Sequence, residues 1–496
     1  MTAALRESPR APSIHFNWAN LLQAEGRLRE ALAHYDIALS LAPQMAESWY
    51  NRGNALVRMG FGDDSLASFE AALRVRPQYP AALLNKGVAQ QKLGRFAAAV
   101  QTFEAALALR PGYVQALCNL GNLLRIMGRW DEARAVCEQA VALHPGHADA
   151  HAHLGNVFQN LNAHDAAVAC YAQALALKPD HANAHWNRSL TLLRQGRYEE
   201  GWRGFEWRKR LSTPVAVRGF TQPEWLGDSA PGGKRMFLHW EMGLGDTLQF
   251  CRYVPLVQAL GAEIVLSVPE PLVRLMRSLD KAVDVVSTHA VPSHFDLHCP
   301  LMSLPLALGT TLASVPAATP YLHADPDQSA AWRRRLAALP GRKVGLVWSG
   351  APRPDEPEAN AIDQRRSLDL ALLAPLAEIP GISFVSLQKG PAAAAAPPPG
   401  MVLHDWTAEL GDFLDTAGLV AGLDLVISVD TSVAHLAGAL GRTLWVLNRS
   451  DHCWRWLDGT GTSPWYPTAR LFRQPAPGDW ASVVAQVAEA LRDPGA

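Results

Sequence analysis

The stretch HWEMGLGDTLQF, residues 239–250, sets two glycines one residue apart, an acid directly behind them and an apolar run after that. Three chemistries fit: a cradle for phosphate, an acid presented on a tight turn, or a strand-to-helix corner whose Asp246 only caps the helix. The third glycine of a dinucleotide fingerprint is absent after Gly243 and Gly245. Gly245 instead permits close approach of another backbone. A second stretch, LVISVDTSVAHLAGALG, runs an apolar strand into Asp430, Thr431 and Ser432, with His435 in the first turn of the helix that follows. Helix-terminal N–H groups beside two hydroxyls make an anion site, and the same residues also suit an ordinary N-cap with a satisfied histidine.

Other groups carry less. His289, His294, His298 and Cys299 follow no zinc-ligand spacing, and no second cluster balances them. Asp325 and Asp327 stand before a helical run and read as caps. Trp454, Trp456 and Trp465 suit either stacking on a base or sugar or packing inside the fold.

The elements that must hold these residues come in two kinds. Pro43, Pro77, Pro111, Pro145 and Pro179 recur every 34 residues. Gly26, Gly60, Gly94, Gly128 and Gly196 share that period, as do Ala38, Ala72, Ala106, Ala140 and Ala174, and Tyr35, Phe69, Phe103, Tyr171 and Phe205. In each unit the small residue lets two helices approach, the glycine turns the chain and the proline ends the second helix. The pattern resembles tetratricopeptide repeats: an α-solenoid over 12–212, with five full units and a degenerate sixth. In that sixth unit Arg208 replaces the alanine and Thr213 the proline, as a cap that changes partners would. Asn17, Asn51, Asn85, Asn119 and Asn187 recur in one column, with Asn20, Asn54, Asn122 and Asn156 in the column three residues on. Such amides either line a groove for an extended peptide or tie neighbouring helices together.

After a linker at 213–234, short apolar runs alternate with helical stretches, the βαβ pattern of a parallel sheet. RMFLHWE, AEIVLSV and VDVVST read as strands of a lobe at 235–323. RKVGLVWSG, ISFVSLQ, LDLVISVD and TLWVLN belong to a second lobe at 324–496. Two doubly wound lobes leave a ligand cleft at their strand ends.

Taken together, GLGD, the pair Arg365 and Arg366 before Ser367, and D-T-S-x-x-x-H-L-A resemble the nucleotide-sugar glycosyltransferases of the heptosyltransferase family, from about residue 235 onward. The whole chain is similar to bacterial repeat proteins that carry such a transferase. In architecture it also parallels the enzymes that attach N-acetylglucosamine to intracellular proteins.

The resemblance implies two Rossmann-like lobes of GT-B type and inverting, metal-independent transfer from a nucleotide-sugar, with no cofactor. It implies Asp246 as the general base. It assigns the leaving diphosphate to Asp430, Thr431, Ser432 and His435, with Gly245 close by and Arg365, Arg366 or Lys389 as the cation. The first lobe is short beside family members that grip a lipid-linked acceptor, and an arginine pair stands where relatives carry a lysine. The solenoid is then expected to present the acceptor, a polypeptide. The rival is a repeat scaffold or peptide-binding protein with a degenerate transferase domain.

Composition bounds both readings. Forty-five basic residues balance 46 acidic ones, so no global field draws the chain to nucleic acid or to an anionic membrane. The six cysteines form no CxxC pair and read as reduced thiols. The opening residues lack an apolar signal core, and Asp424 interrupts the most apolar later stretch, so the expected location is cytoplasmic with no membrane span.

Overall fold

The computed structural model describes residues 10–212 and 218–493, so Thr213 and the first part of the linker lie outside the described residues. Helices α1 Pro12–Ala24 and α2 Leu28–Leu41 form the first hairpin, followed by α3 Ala46–Met59 with α4 Gly62–Val75 and α5 Pro80–Lys92 with α6 Phe96–Leu109. Next come α7 Val114–Ile126 with α8 Trp130–Leu143, α9 Ala148–Asn160 with α10 His164–Leu177, and α11 Ala182–Arg194 with α12 Tyr198–Phe205.

The repeating columns explain the hairpins. Ala38, Ala72, Ala106, Ala140 and Ala174 are fully buried, as are Tyr35, Phe69, Phe103 and Tyr171. Phe69, Phe103 and Tyr171 each press on a glycine of the first helix: a Cβ on Gly53 would lie 2.6 Å from the Phe69 ring. The turn glycines take the left-handed conformation, and in the fifth unit Asn162 adopts it instead, at φ 60°.

Beyond the repeats stand two parallel sheets. Strands β1 Arg235–His239, β2 Glu263–Val268, β3 Asp284–Ser287 and β4 Leu297–Pro300 lie in the order β3-β2-β1-β4. Strands β5 Arg342–Val347, β6 Ile382–Ser386, β7 Leu403–Asp405, β8 Leu425–Val429, β9 Leu444–Asn448 and β10 Ala469–Arg473 lie in the order β10-β9-β8-β5-β6-β7. In each sheet the chain winds outward from its first strand on one side, then returns to build on the other. The strand order therefore reverses beside β1 in the first sheet and between β5 and β8 in the second. At such reversals the connections leave in opposite directions and open a crevice at the carboxyl ends of the strands.

The helices that matter to the site are α13 Leu244–Phe250, α14 Pro326–Leu336, α15 Pro357–Arg366, α16 Ser432–Ala439 and α17 Trp480–Arg492. Asp325 caps α14 by accepting from the Gln328 N–H at 2.9 Å, the role expected of it. Val483, Val484 and Val487 of α17 pack with Leu346, Leu425 and Ile427 on one face of the second sheet.

The chain forms two compact units whose limits differ from the sequence boundaries at 212 and 323. One runs through Pro179 and includes Arg353–Ile362; the other holds Asp180–Pro352 and Asp363 onward. The sixth hairpin falls with the sheets because its aromatic face has found new partners. Trp202 meets Trp454 edge-on with ring centroids 5.3 Å apart, and Phe205 and Phe250 join the same cluster. Among the described residues no helix is long and apolar enough to cross a membrane.

Candidate functional site

Both suspected segments sit at strand ends where the order reverses. GLGD follows β1 and opens α13; D-T-S follows β8 and opens α16. The two helices pack directly on one another. A Cβ on Gly245 would lie 2.8 Å from His435 Cδ2 and 3.5 Å from Ser432 Cα, so only glycine admits the contact.

Asp246 is fully engaged. Its Oδ2 accepts from the Gly243 N–H at 2.8 Å, closing a cap on α13, and its Oδ1 accepts from Arg455 Nη2. Thr431 is the N-cap residue of α16, and its hydroxyl lies 3.0 Å from Ser428 Oγ rather than on the helix N–H groups. Ser432 is the first residue of that helix.

His435 is buried, with Nδ1 2.8 Å from the Tyr466 hydroxyl, Nε2 3.9 Å from Asp430 Oδ1 and its ring stacked on Trp456. Burial first, then the charges of Arg455 and Arg252, hold it well below the usual histidine range. Its Nδ1 is paired with the Tyr466 hydroxyl, and its burial disfavours the charged form.

The cations expected from the sequence are occupied elsewhere. Arg365 Nη2 lies 3.6 Å from Asp451 in the loop after β9. Arg366 pairs with Asp363 at 3.3 Å and lies against the backbone at the end of β5, where a Cβ on Gly350 would come within 2.6 Å of its Nε. Ser367 ties this segment to the same strand end by accepting from the Gly350 N–H at 3.1 Å. Lys389 follows β6, beyond β5 from β8, and donates to the Leu410 carbonyl.

Sequence reasoning passed over Arg455. It lies in the loop 449–458, between Trp454 and Trp456. Its Nε donates to Gln249 Oε1 at 2.5 Å and its Nη1 to Cys453 Sγ at 3.0 Å, while its guanidinium lies 4.4 Å over Trp454. Burial opposes its charge, but Cys453, Asp246 and Asp430 outweigh burial and raise it above the ordinary arginine range. Trp454, Trp456 and Trp465 are core residues, at most 5% exposed, which favours packing over ligand stacking.

Arg208 has changed partners, as its place in the alanine column suggests. Its side chain is wholly buried, donating to Glu206 and Glu241 at 2.7 Å each and to Ser303 Oγ at 2.7 Å. Glu241 sits between β1 and GLGD, so the last repeat braces the turn that carries Asp246.

In the repeat unit, Asn51 Nδ2 donates to Asn20 Oδ1 at 2.8 Å and Asn85 Nδ2 to Asn54 Oδ1 at 2.7 Å. These amides join neighbouring units. Asn119 makes no such bond, because the position 31 residues earlier is Val88, and among the described residues its side chain has no hydrogen bond. Among the described residues no three His, Cys, Asp or Glu side chains converge as a metal would require.

The 34-residue hairpins and the two parallel sheets define a tetratricopeptide-repeat solenoid followed by an α/β region. Models of the tetratricopeptide repeat match residues 19–60, 50–114 and 113–180. The chain is 31% identical over 333 residues to Protein FlbA of Caulobacter vibrioides, a match covering 62% of this chain. That share is longer than the repeat region, so the likeness reaches into the α/β part; it spans 54% of the relative's length. Among solved structures, the repeats resemble YrrB, a TPR protein, at 29% identity over 37% of this chain and 94% of that one, with a TM-score of 0.32. They also resemble TTC0263 from Thermus thermophilus, at 23% identity over 37% of this chain and all of that one, with a TM-score of 0.32.

Proposed function

We propose that the α/β region is an inverting, metal-independent glycosyltransferase of GT-B type that uses a nucleotide-sugar donor, and that the repeats present a polypeptide acceptor. One observation carries the reading. Asp246 and the D-T-S-x-x-x-H segment, remote in sequence, lie at the reversal points of two different sheets and meet through Gly245. In the reaction the acceptor oxygen bonds to the anomeric carbon and gives its proton to Asp246, while the bond from that carbon to the phosphate oxygen breaks. The nucleotide diphosphate leaves with the bonding electrons. The N–H groups opening α16 and the Thr431 hydroxyl are placed to stabilise that charge.

The test is incubation with a panel of nucleotide-sugars, with mass spectrometry of released nucleotide and of acceptor. Release from none of them leaves the scaffold reading. A specific feature favours that rival: both carboxylate oxygens of Asp246 are already bonded, and α13 touches α16 without a gap.

Two expected results follow for this reading. One of UDP, ADP or GDP should raise the melting temperature, as a ligand selective for the folded chain does. Changing Thr431 and Ser432 together to alanine should shrink that rise; an unchanged rise puts the phosphates elsewhere. In the solenoid, Asn119→Ala should slow modification of a polypeptide acceptor with no loss of stability. Asn51→Ala and Asn85→Ala should each cost about 0.5–1.5 kcal/mol in denaturation, because each breaks a bond between repeats. Normal acceptor modification by Asn119→Ala removes the groove from the mechanism.

A further inference from the structure

We propose that Arg455 is the cation that receives the donor's diphosphate and that Asp246 is its resting counter-ion, so that donor binding and release of the base are one event. This rests on the transferase reading above and names a residue that neither the sequence patterns nor the comparisons single out.

The guanidinium is prepared for an anion. It carries five N–H groups, of which three are used, on Gln249, Cys453 and Asp246. One N–H remains on each terminal nitrogen, the fork that takes two oxygens of a phosphate. The side chain is 11% exposed and lies over Trp454, so little hydration must be stripped from it. Its partner Asp246 follows Gly245, which packs against His435 and Ser432, so the guanidinium stands beside the D-T-S-x-x-x-H segment. Arg365, Arg366 and Lys389 are each held by other partners.

At rest Asp246 Oδ2 accepts from the Gly243 N–H and Oδ1 from Arg455, so its negative charge is held in an ion pair before any acceptor arrives. A diphosphate carries more negative charge than one carboxylate and competes for the same guanidinium. As Arg455 turns to the phosphate, Oδ1 is released toward the acceptor. A base uncovered only when donor is present cannot activate an acceptor in its absence.

The experiment is titration calorimetry of UDP, ADP, GDP and inorganic pyrophosphate against the full-length wild type, Asp246→Asn, Arg455→Met, Arg455→Lys and the double variant Asp246→Asn/Arg455→Met. Removing the counter-ion's charge should tighten diphosphate binding about tenfold in Asp246→Asn, and removing the cation should weaken it at least about tenfold in Arg455→Met. The double variant should bind no better than Arg455→Met alone. Arg455→Lys keeps the charge without the fork and should fall between wild type and Arg455→Met; it stands in for Arg455→Met if circular dichroism shows that variant unfolded. Binding to wild type that neither Asp246 nor Arg455 alters, or weaker binding by Asp246→Asn, overturns the latch and leaves the donor site standing. Absence of binding by every probe to every folded chain, Asp246→Asn included, overturns the latch and the transferase reading together. Binding to Asp246→Asn alone supports the latch.

Discussion

Asp246→Asn is expected to lower sugar transfer by about 10^2 to 10^4. That loss is about 3–5 kcal/mol of transition-state stabilisation. Asparagine keeps the shape of the side chain, and its single amide oxygen can still accept from the Gly243 N–H or from Arg455, though not from both, so the corner keeps much of its form. That oxygen cannot take up the acceptor's proton. The turnover number is measured with the donor that the nucleotide-sugar panel identifies. A capping role alone predicts the opposite order of effects. Asp246→Ala would then cost about 1 kcal/mol for the cap, with about 1–3 kcal/mol more for the stranded Arg455 donors, while Asp246→Asn would remain active. An active asparagine variant leaves GLGD as a corner and returns the region to the scaffold reading.

Arg208→Met should be the most damaging single change to stability, at about 3–5 kcal/mol. The methionine fills much of the arginine's volume but leaves Glu241 buried without its paired cation and Glu206 with Lys209 alone. Chemical denaturation followed by tryptophan fluorescence reads the loss, since Trp202 and Trp454 lie in the adjoining cluster. Neutralising the carboxylates as well, in Arg208→Met/Glu206→Gln/Glu241→Gln, should recover a substantial part, because the penalty comes from unpaired charge and not from lost packing. A single variant as stable as wild type would show the network to be dispensable.

Local chemistry that repeats, or that fills a whole strand, can be seen in the sequence. The 34-residue columns become hairpins because each of the five full units buries the same alanine and, with the exception of the fourth, an aromatic ring. Strands such as LVISV are buried at every position and apolar at all but Ser428, because both faces are covered. The overlooked strands lack that signal: β4 is four residues ending in a proline, β7 is a three-residue edge, and β10 carries two arginines, Arg470 exposed and Arg473 half-buried. Asp246, Asp430, Thr431, Ser432 and His435 were found because each sits on a glycine turn or a helix start. Arg455 was not found, since its bond to Asp246 joins residues 209 apart and leaves no periodic trace. The sequence places the expected diphosphate site on the second lobe and gives no sign that an ion pair ties Asp246 to that lobe. The asparagine column shows the reverse limit. Its period is plain, yet whether an amide is spent on a neighbour depends on one residue in the preceding unit, asparagine before Asn51 and Asn85 and Val88 before Asn119.

The inclusion of Arg353–Ile362 in the repeat unit bears on the order in which the chain can mature during synthesis. The five full repeats leave the ribosome before the two sheets and can stack as they emerge, since each hairpin needs only its neighbours. Their unit is complete only once residue 362 has been made, when β1 through β5 exist and β6 through β10 do not. At that stage the second sheet has a single strand, and the sixth hairpin lacks Trp454 and Trp465 to cover Trp202. The nascent chain therefore carries a finished repeat unit beside a half-made α/β unit with an exposed aromatic face, the kind of surface that chaperones bind.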